Sequence, residues 1–210
     1  MVAQPLSIKN LPTPKDEAWK FTNLSRALPA NLSLANAPQD IVIHKTGGSN
    51  SGQNVKNPEV IVITATDGQH TQPRLKITLE DNAQATIIER HNGEGAYWKN
   101  MVSEITVGKN AKLNHIRINQ DSEQGVQTNL SHITVDRDAV YNGFSLNMGG
   151  KLTRHDIHAQ IQGENAEISF NGVNLLTGTQ HGDTTILIEH QKPHCRSNQV
   201  YRTLLDDHAR

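Results

Sequence analysis

A phrase recurs four times in this chain. It reads LEDNAQATII at Leu79–Ile88, VGKNAKLNHI at Val107–Ile116 and VDRDAVYNGF at Val135–Phe144, with a looser copy, IQGENAEISF, at Ile161–Phe170. The alanines fall at Ala83, Ala111, Ala139 and Ala166, so the steps are 28, 28 and 27 residues. A fixed period of this length marks a solenoid, in which each repeat buries one face against the next.

The chemistry inside one repeat says which solenoid. Ile77 and Leu79, Ile105 and Val107, and Ile133 and Val135 are each two apart, the alternation of a strand with one buried face. The Asn or Asp before each alanine tolerates left-handed backbone angles and makes a corner. The small alanine fits inside the bend, and a second alternating run leaves in a new direction. No helical stripe lies between the copies. The reading is all-β: a single-stranded parallel β-helix with a coil of about 28 residues, in which Ala83, Ala111 and Ala139 stack one coil apart. An antiparallel sandwich of short strands is the alternative.

Composition suits thin apolar layers better than a bulky core, with 4% aromatic and 35% hydrophobic residues. A net charge of −1 offers no field for nucleic acid or an anionic membrane surface. The single cysteine excludes an internal disulfide and fits a reducing compartment. No secretory signal core or long apolar run is present, so a cytoplasmic setting is expected.

Two parts are expected: residues 1–58, an N-terminal helix and loose connection, and residues 59–210, the coil. In Leu11–Leu28, Thr13 and Pro14 read as a helix start, and Ala18, Phe21, Leu24 and Leu28 share a helical face. Trp19 packs on its own domain. Pro29–Pro58 reads as a connection with one strand around Ile41–His44, with Gly47–Asn54 as a mobile loop, and Gln69–Arg74 as a polar loop. His91–Asn100 and Asn119–Asn129 read as insertions projecting from one edge, which makes Tyr97 and Trp98 the most exposed-looking aromatics.

Eleven histidines are the obvious candidates for chemistry. His155 and His158 are three apart, on opposite faces of a strand, and make a poor ligand pair. His190, His194 and Cys195 crowd around Pro193, and imidazole and thiolate suit zinc or iron. These three lack a further ligand, so they read as a solvated turn with a partly buried thiol. Familiar catalytic phrases are absent, and no catalytic or cofactor-binding residue emerges.

Two stretches carry a family likeness. LPTPKDEAWKFTNL, with Leu11, Pro12, Glu17, Trp19, Lys20, Phe21 and Thr22, resembles an opening phrase of the SufB/SufD family. EHQKPHCRSNQVYRTLL, with Glu189, His190, Cys195, Ser197, Gln199, Arg202 and Thr203, resembles its late-coil phrase. Gly149–Gly178 looks like the segment between them. The three in order are closest to the SufD branch.

The resemblance implies a right-handed parallel β-helix and a scaffold role in iron–sulfur cluster assembly without turnover chemistry. It implies SufB-like and SufC-like partners, the latter an ATPase, and a cluster held only in the assembled complex, so this chain has no cofactor of its own. Family members continue with further strands, a Cys–His phrase and C-terminal helices that find no match before Arg210, so a fragment or truncated relative is expected. Cys195 matches the late-coil cysteine and takes no cluster-ligand role from the resemblance. The bare coil end suggests a homodimer through edge pairing. A β-helical carbohydrate-active enzyme or binding protein is the competing reading.

Overall fold

The computed structural model describes residues 5–35, 40–47 and 57–210. Most of the expected mobile loop, residues 48–54, lies outside the described residues. After a 3₁₀ turn (Glu17–Trp19) and a single helical turn α1 (Leu24–Ala27), the chain is strand throughout. The early strands are β1 (Ser33–Leu34), β2 (Asp40–Lys45), β3 (Glu59–Ala65), β4 (Gln69–Thr71) and β5 (Arg74–Leu79). Then come the long strands β6 (Gln84–Gly93), β7 (Trp98–Val107), β8 (Lys112–Gln120), β9 (Val126–Val135) and β10 (Val140–Asn147). The last four are β11 (Leu152–Ile161), β12 (Glu167–Leu176), β13 (His181–His190) and β14 (Arg196–Leu205).

Every pairing is parallel and joins one coil to the next. One sheet runs β4-β7-β9-β11-β13, with β1 beside β4, β5 also beside β7, and β2 beside β5; the other runs β3-β6-β8-β10-β12-β14. The parallel β-helix is therefore the fold, and the sandwich is excluded because a sandwich of hairpins would pair strands antiparallel.

The repeated phrase forms the corner between the sheets. Asn82, Asn110, Asp138 and Asn165 all take positive φ, from 54 to 63°. That backbone costs little for Asn and Asp, whose side chains bond locally. Asn110 Nδ2 donates to Asn82 Oδ1 one coil away at 2.9 Å, and Asn165 Nδ2 to Asp138 Oδ1 at 3.2 Å. The alanines behind them are at most 1% exposed. The N–H groups of Lys112, Val140 and Glu167 donate to the carbonyls of Ala83, Ala111 and Ala139 at 2.8–2.9 Å, so the alanines stack in register as expected.

Several local expectations change. Leu11–Leu28 is not one amphipathic helix: the four-residue α1 is capped by Asn23, whose Oδ1 accepts from Arg26 N at 3.1 Å. Phe21 stands 77% exposed. The segment is held instead by its contacts with the coil. Trp19 and Leu24 pack with Trp98, Val126 and Leu152 on the outer face of the larger sheet. Arg154, 1% exposed, lies 4.0 Å from the Trp19 ring, donates to Ala18 O at 2.6 Å and pairs with Asp156 and Asp183. Asp183 also accepts from Thr22 Oγ1.

The two expected insertions do not project. His91–Asn100 and Asn119–Asn129 are the ends of long strands and the tight bends between them, because β6 runs on to Gly93 and β8 to Gln120. Trp98 is buried beneath the N-terminal segment, stacked on His70 with centroids 4.1 Å apart. Tyr97 fills the bend from inside; a Cβ on Gly93 or Gly125 would sit 2.5–2.6 Å from its ring, so both positions need glycine. Gln69–Arg74 likewise contains β4 and the start of β5 rather than an open loop.

Candidate functional site

The inward side chains of the two sheets meet in a lumen with two unlike halves. Beside the alanine corner the rungs are apolar: Leu79, Val107, Val135 and Ile161 on the larger sheet, and Ala85, Leu113, Tyr141 and Ile168 on the smaller. Burying each large side chain there contributes roughly 1.5–3 kcal/mol. Toward the opposite bend the same inward phase carries Glu89, His91, His115, Arg117, Lys99, Asp121, Gln127, Ser131 and His155.

These polar groups form one connected network. Glu89, fully buried, sits at 2.5 Å from His91 Nε2 through Oε1 and at 2.9 Å from His115 Nε2 through Oε2, and accepts from Arg117 Nε at 3.2 Å. His115 Nδ1 accepts from the Tyr141 hydroxyl at 3.0 Å. Arg117 reaches His155 Nδ1 at 2.7 Å, and His155 Nε2 bonds Ser131 Oγ at 2.8 Å. Gln127 lies 2.9 Å from His91 Nδ1. Beside it, the buried Lys99 ammonium and the Tyr97 hydroxyl each lie 2.5 Å from Asp121 Oδ1.

The charges balance: Glu89 and Asp121 against Arg117 and Lys99, with His91 and His155 neutral. Burial drives His91 down to about 4, against the pull of Glu89. Burial, then Arg117, holds His155 well below its ordinary range. Burial would raise the Glu89 carboxyl, but Arg117, His91 and the histidine hydrogen bonds outweigh it and keep it well below normal. Burial also lowers Lys99, opposed by Asp121, and raises Tyr97 and Tyr141. A buried charge persists only when paired and hydrogen-bonded, and here each one is.

A cavity continues this polar half toward the last coil, lined by Arg117, Ser131, Tyr141, Ser145, His155 and Tyr201. Sequence reading missed the network, although its signal was present. Glu89 and His91 continue the inward phase of Ala85 and Ile87 two residues at a time.

The three weak candidates take different places. His194 is the fifth corner residue, with φ 63°, and it is exposed. Cys195 follows it as the fifth rung of the alanine ladder, half-buried, its Sγ 3.2 Å from Gly163 O. His190 ends β13, 3.0 Å from Ser197 Oγ, and shares a shallow groove with Cys195. His190 and Cys195 are thus brought near each other, and His194 turns away as a corner. Among the described residues, no three His, Cys, Asp or Glu side chains are grouped to hold a metal ion. His155 and His158 do face opposite ways, His155 into the lumen and His158 to solvent.

Among the described residues no helix is long and apolar enough to cross a membrane. Residues 61–210 match the model of the SUF system FeS cluster assembly SufBD core domain. An iron–sulfur cluster assembly SufBD family protein of Synechocystis is 32% identical over 148 residues, covering 66% of this chain and 33% of that protein. The iron–sulfur cluster assembly protein SufD of Escherichia coli is 27% identical over 139 residues, 65% of this chain and 33% of its own length. The chloroplastic protein ABCI7 of Arabidopsis thaliana is 27% identical over 140 residues, 64% and 29%. The chain spans about a third of the length of the curated relatives it matches. With its repeat forming a parallel coil and its core domain matched over residues 61–210, the chain belongs to the SufBD family of iron–sulfur cluster assembly proteins.

Proposed function

We propose that this chain supplies the coil of a SufD-type scaffold component, working with SufB-like and SufC-like subunits in the cytoplasm and performing no turnover chemistry itself. The observation that carries this reading is the parallel coil, matched over residues 61–210 by the SufBD core domain. The nascent cluster is cargo of the assembly, and His190, His194 and Cys195 are given no part in holding it. The carbohydrate-active reading has no support from the family.

The test is light scattering of the chain across a range of concentrations, alone and with SufB-like or SufC-like subunits. The expected result is a complex with the SufB-like subunit. A chain that binds neither subunit at any concentration would overturn the scaffold reading.

A further inference from the structure

His132 and His158 stand side by side on the outer face of the larger sheet, away from the lumen and from the coil end. The register pairs His132 on β9 with His158 on β11 and, on its other side, with Glu104 on β7. Their neighbours Ile133 and Ala159 point into the core, so both imidazoles point out. The rings meet edge to face, centroids 5.3 Å apart at 82°. His158 is exposed and His132 half-buried.

Among the described residues neither imidazole has a hydrogen-bond partner, which separates this pair from His91, His115 and His155 in the lumen. The pair lies in an open groove with Glu104, Gln160 and Glu189. The Glu189 carboxylate already accepts from Gln160 Nε2 at 2.7 Å, whereas Glu104 is uncommitted by any hydrogen bond or ion pair among the described residues. The row runs on through Lys76 on β5 to Val42 on β2, and at its other end to Leu187 on β13. Burial and then the neighbouring His158 keep His132 below its ordinary range, with Glu104 pulling the other way, so its lone pair is available at neutral pH.

We propose that His132 and His158 form a two-histidine surface chelate for a borderline divalent transition-metal ion, of the Zn²⁺, Ni²⁺ or Cu²⁺ type. Neutral imidazole is the preferred protein ligand for these ions, with metal–nitrogen bonds of about 2.0–2.1 Å. In-register positions on neighbouring strands lie about 4.8 Å apart, a span that two imidazoles close onto one ion by side-chain rotation alone. The exposed His158 supplies that rotation, and the strands, paired on both sides, hold the spacing. Water completes the coordination, as expected of an open surface site.

The test titrates Zn²⁺ into the Cys195→Ser protein by calorimetry, which removes the only thiol, and records the Cu²⁺ electron paramagnetic resonance spectrum of the same sample. One equivalent should bind, with a two-nitrogen hyperfine pattern. His158→Ala and His132→Gln should each lower affinity about tenfold or more and reduce the pattern to one nitrogen. Both histidines face outward, so circular dichroism and urea midpoints should stay unchanged. Stoichiometric binding that survives His132→Gln/His158→Ala, or that needs Cys195, would overturn the site.

Discussion

At the scale of single residues, the corner is the most stringent position in the coil. A left-handed backbone costs an ordinary residue about 1–2 kcal/mol, and a β-branched one more, while Asn and Asp recover part of it by local bonding. Asn110, with φ 54° and a side-chain bond to Asn82, is therefore poorly replaced by valine. Asn110→Val should cost about 2 kcal/mol in urea unfolding. His194 occupies the same kind of corner in the final coil, and among the described residues its ring has no hydrogen-bond partner that asparagine would lose. His194→Asn should leave the urea midpoint unchanged or slightly raised. A large loss would mean that the imidazole is held for some further interaction.

At the scale of elements, the N-terminal segment depends on side chains of the coil far more than on its own helical turn. A four-residue helix is too short to be stable alone. Arg154 joins Trp19, the Ala18 carbonyl, Asp156 and Asp183 in one buried contact. Arg154→Ala would leave the two carboxylates facing each other without a cation and should cost about 3 kcal/mol. The segment, rather than the coil, should be released. Trypsin should then cut after Lys9, Lys15 or Lys20, and tryptophan fluorescence should shift to the red, while the β-sheet circular dichroism remains. Cutting within the coil instead would mean that Arg154 braces the sheet.

At the scale of the whole molecule, the buried histidines link stability to pH. His70, His91, His132, His155 and His181 are all lowered from 6.5, each first by burial, and His91 reaches about 4. Between the folded and unfolded values the unfolded chain binds more protons, so acid favours unfolding. The stability these groups protect is fully present above about pH 6.5 and is lost progressively toward pH 4. His91 alone accounts for on the order of 3 kcal/mol over that window. Protonation of Glu89, held low in the folded state, adds a further loss only at still lower pH. Urea midpoints should be flat from pH 8 to 7 and decline steadily from 6.5 to 4.5; a flat profile across the lower range would contradict neutral histidines in the lumen.

The sequence alone determined the coil. Period-two alternation set which side chains face inward, and the 27- to 28-residue step set which residues stack. Asn or Asp before a small residue determined where the chain turns, because few residues accept that backbone. These are local rules, read along one stretch of chain. The late-coil phrase likewise pointed to the family that the core-domain match then showed. Only the tertiary structure decided which of the inward side chains meet. Glu89 meets His115 across 26 residues, His91 meets Gln127 across 36 and Arg117 meets His155 across 38. Such contacts depend on how two sheets face each other over a lumen, a distance no alternation encodes. The same reason governs Tyr97 and Trp98, which look exposed in a polar stretch. One is enclosed by the bend and the other by the N-terminal segment, and it is the closing of the coil that buries both.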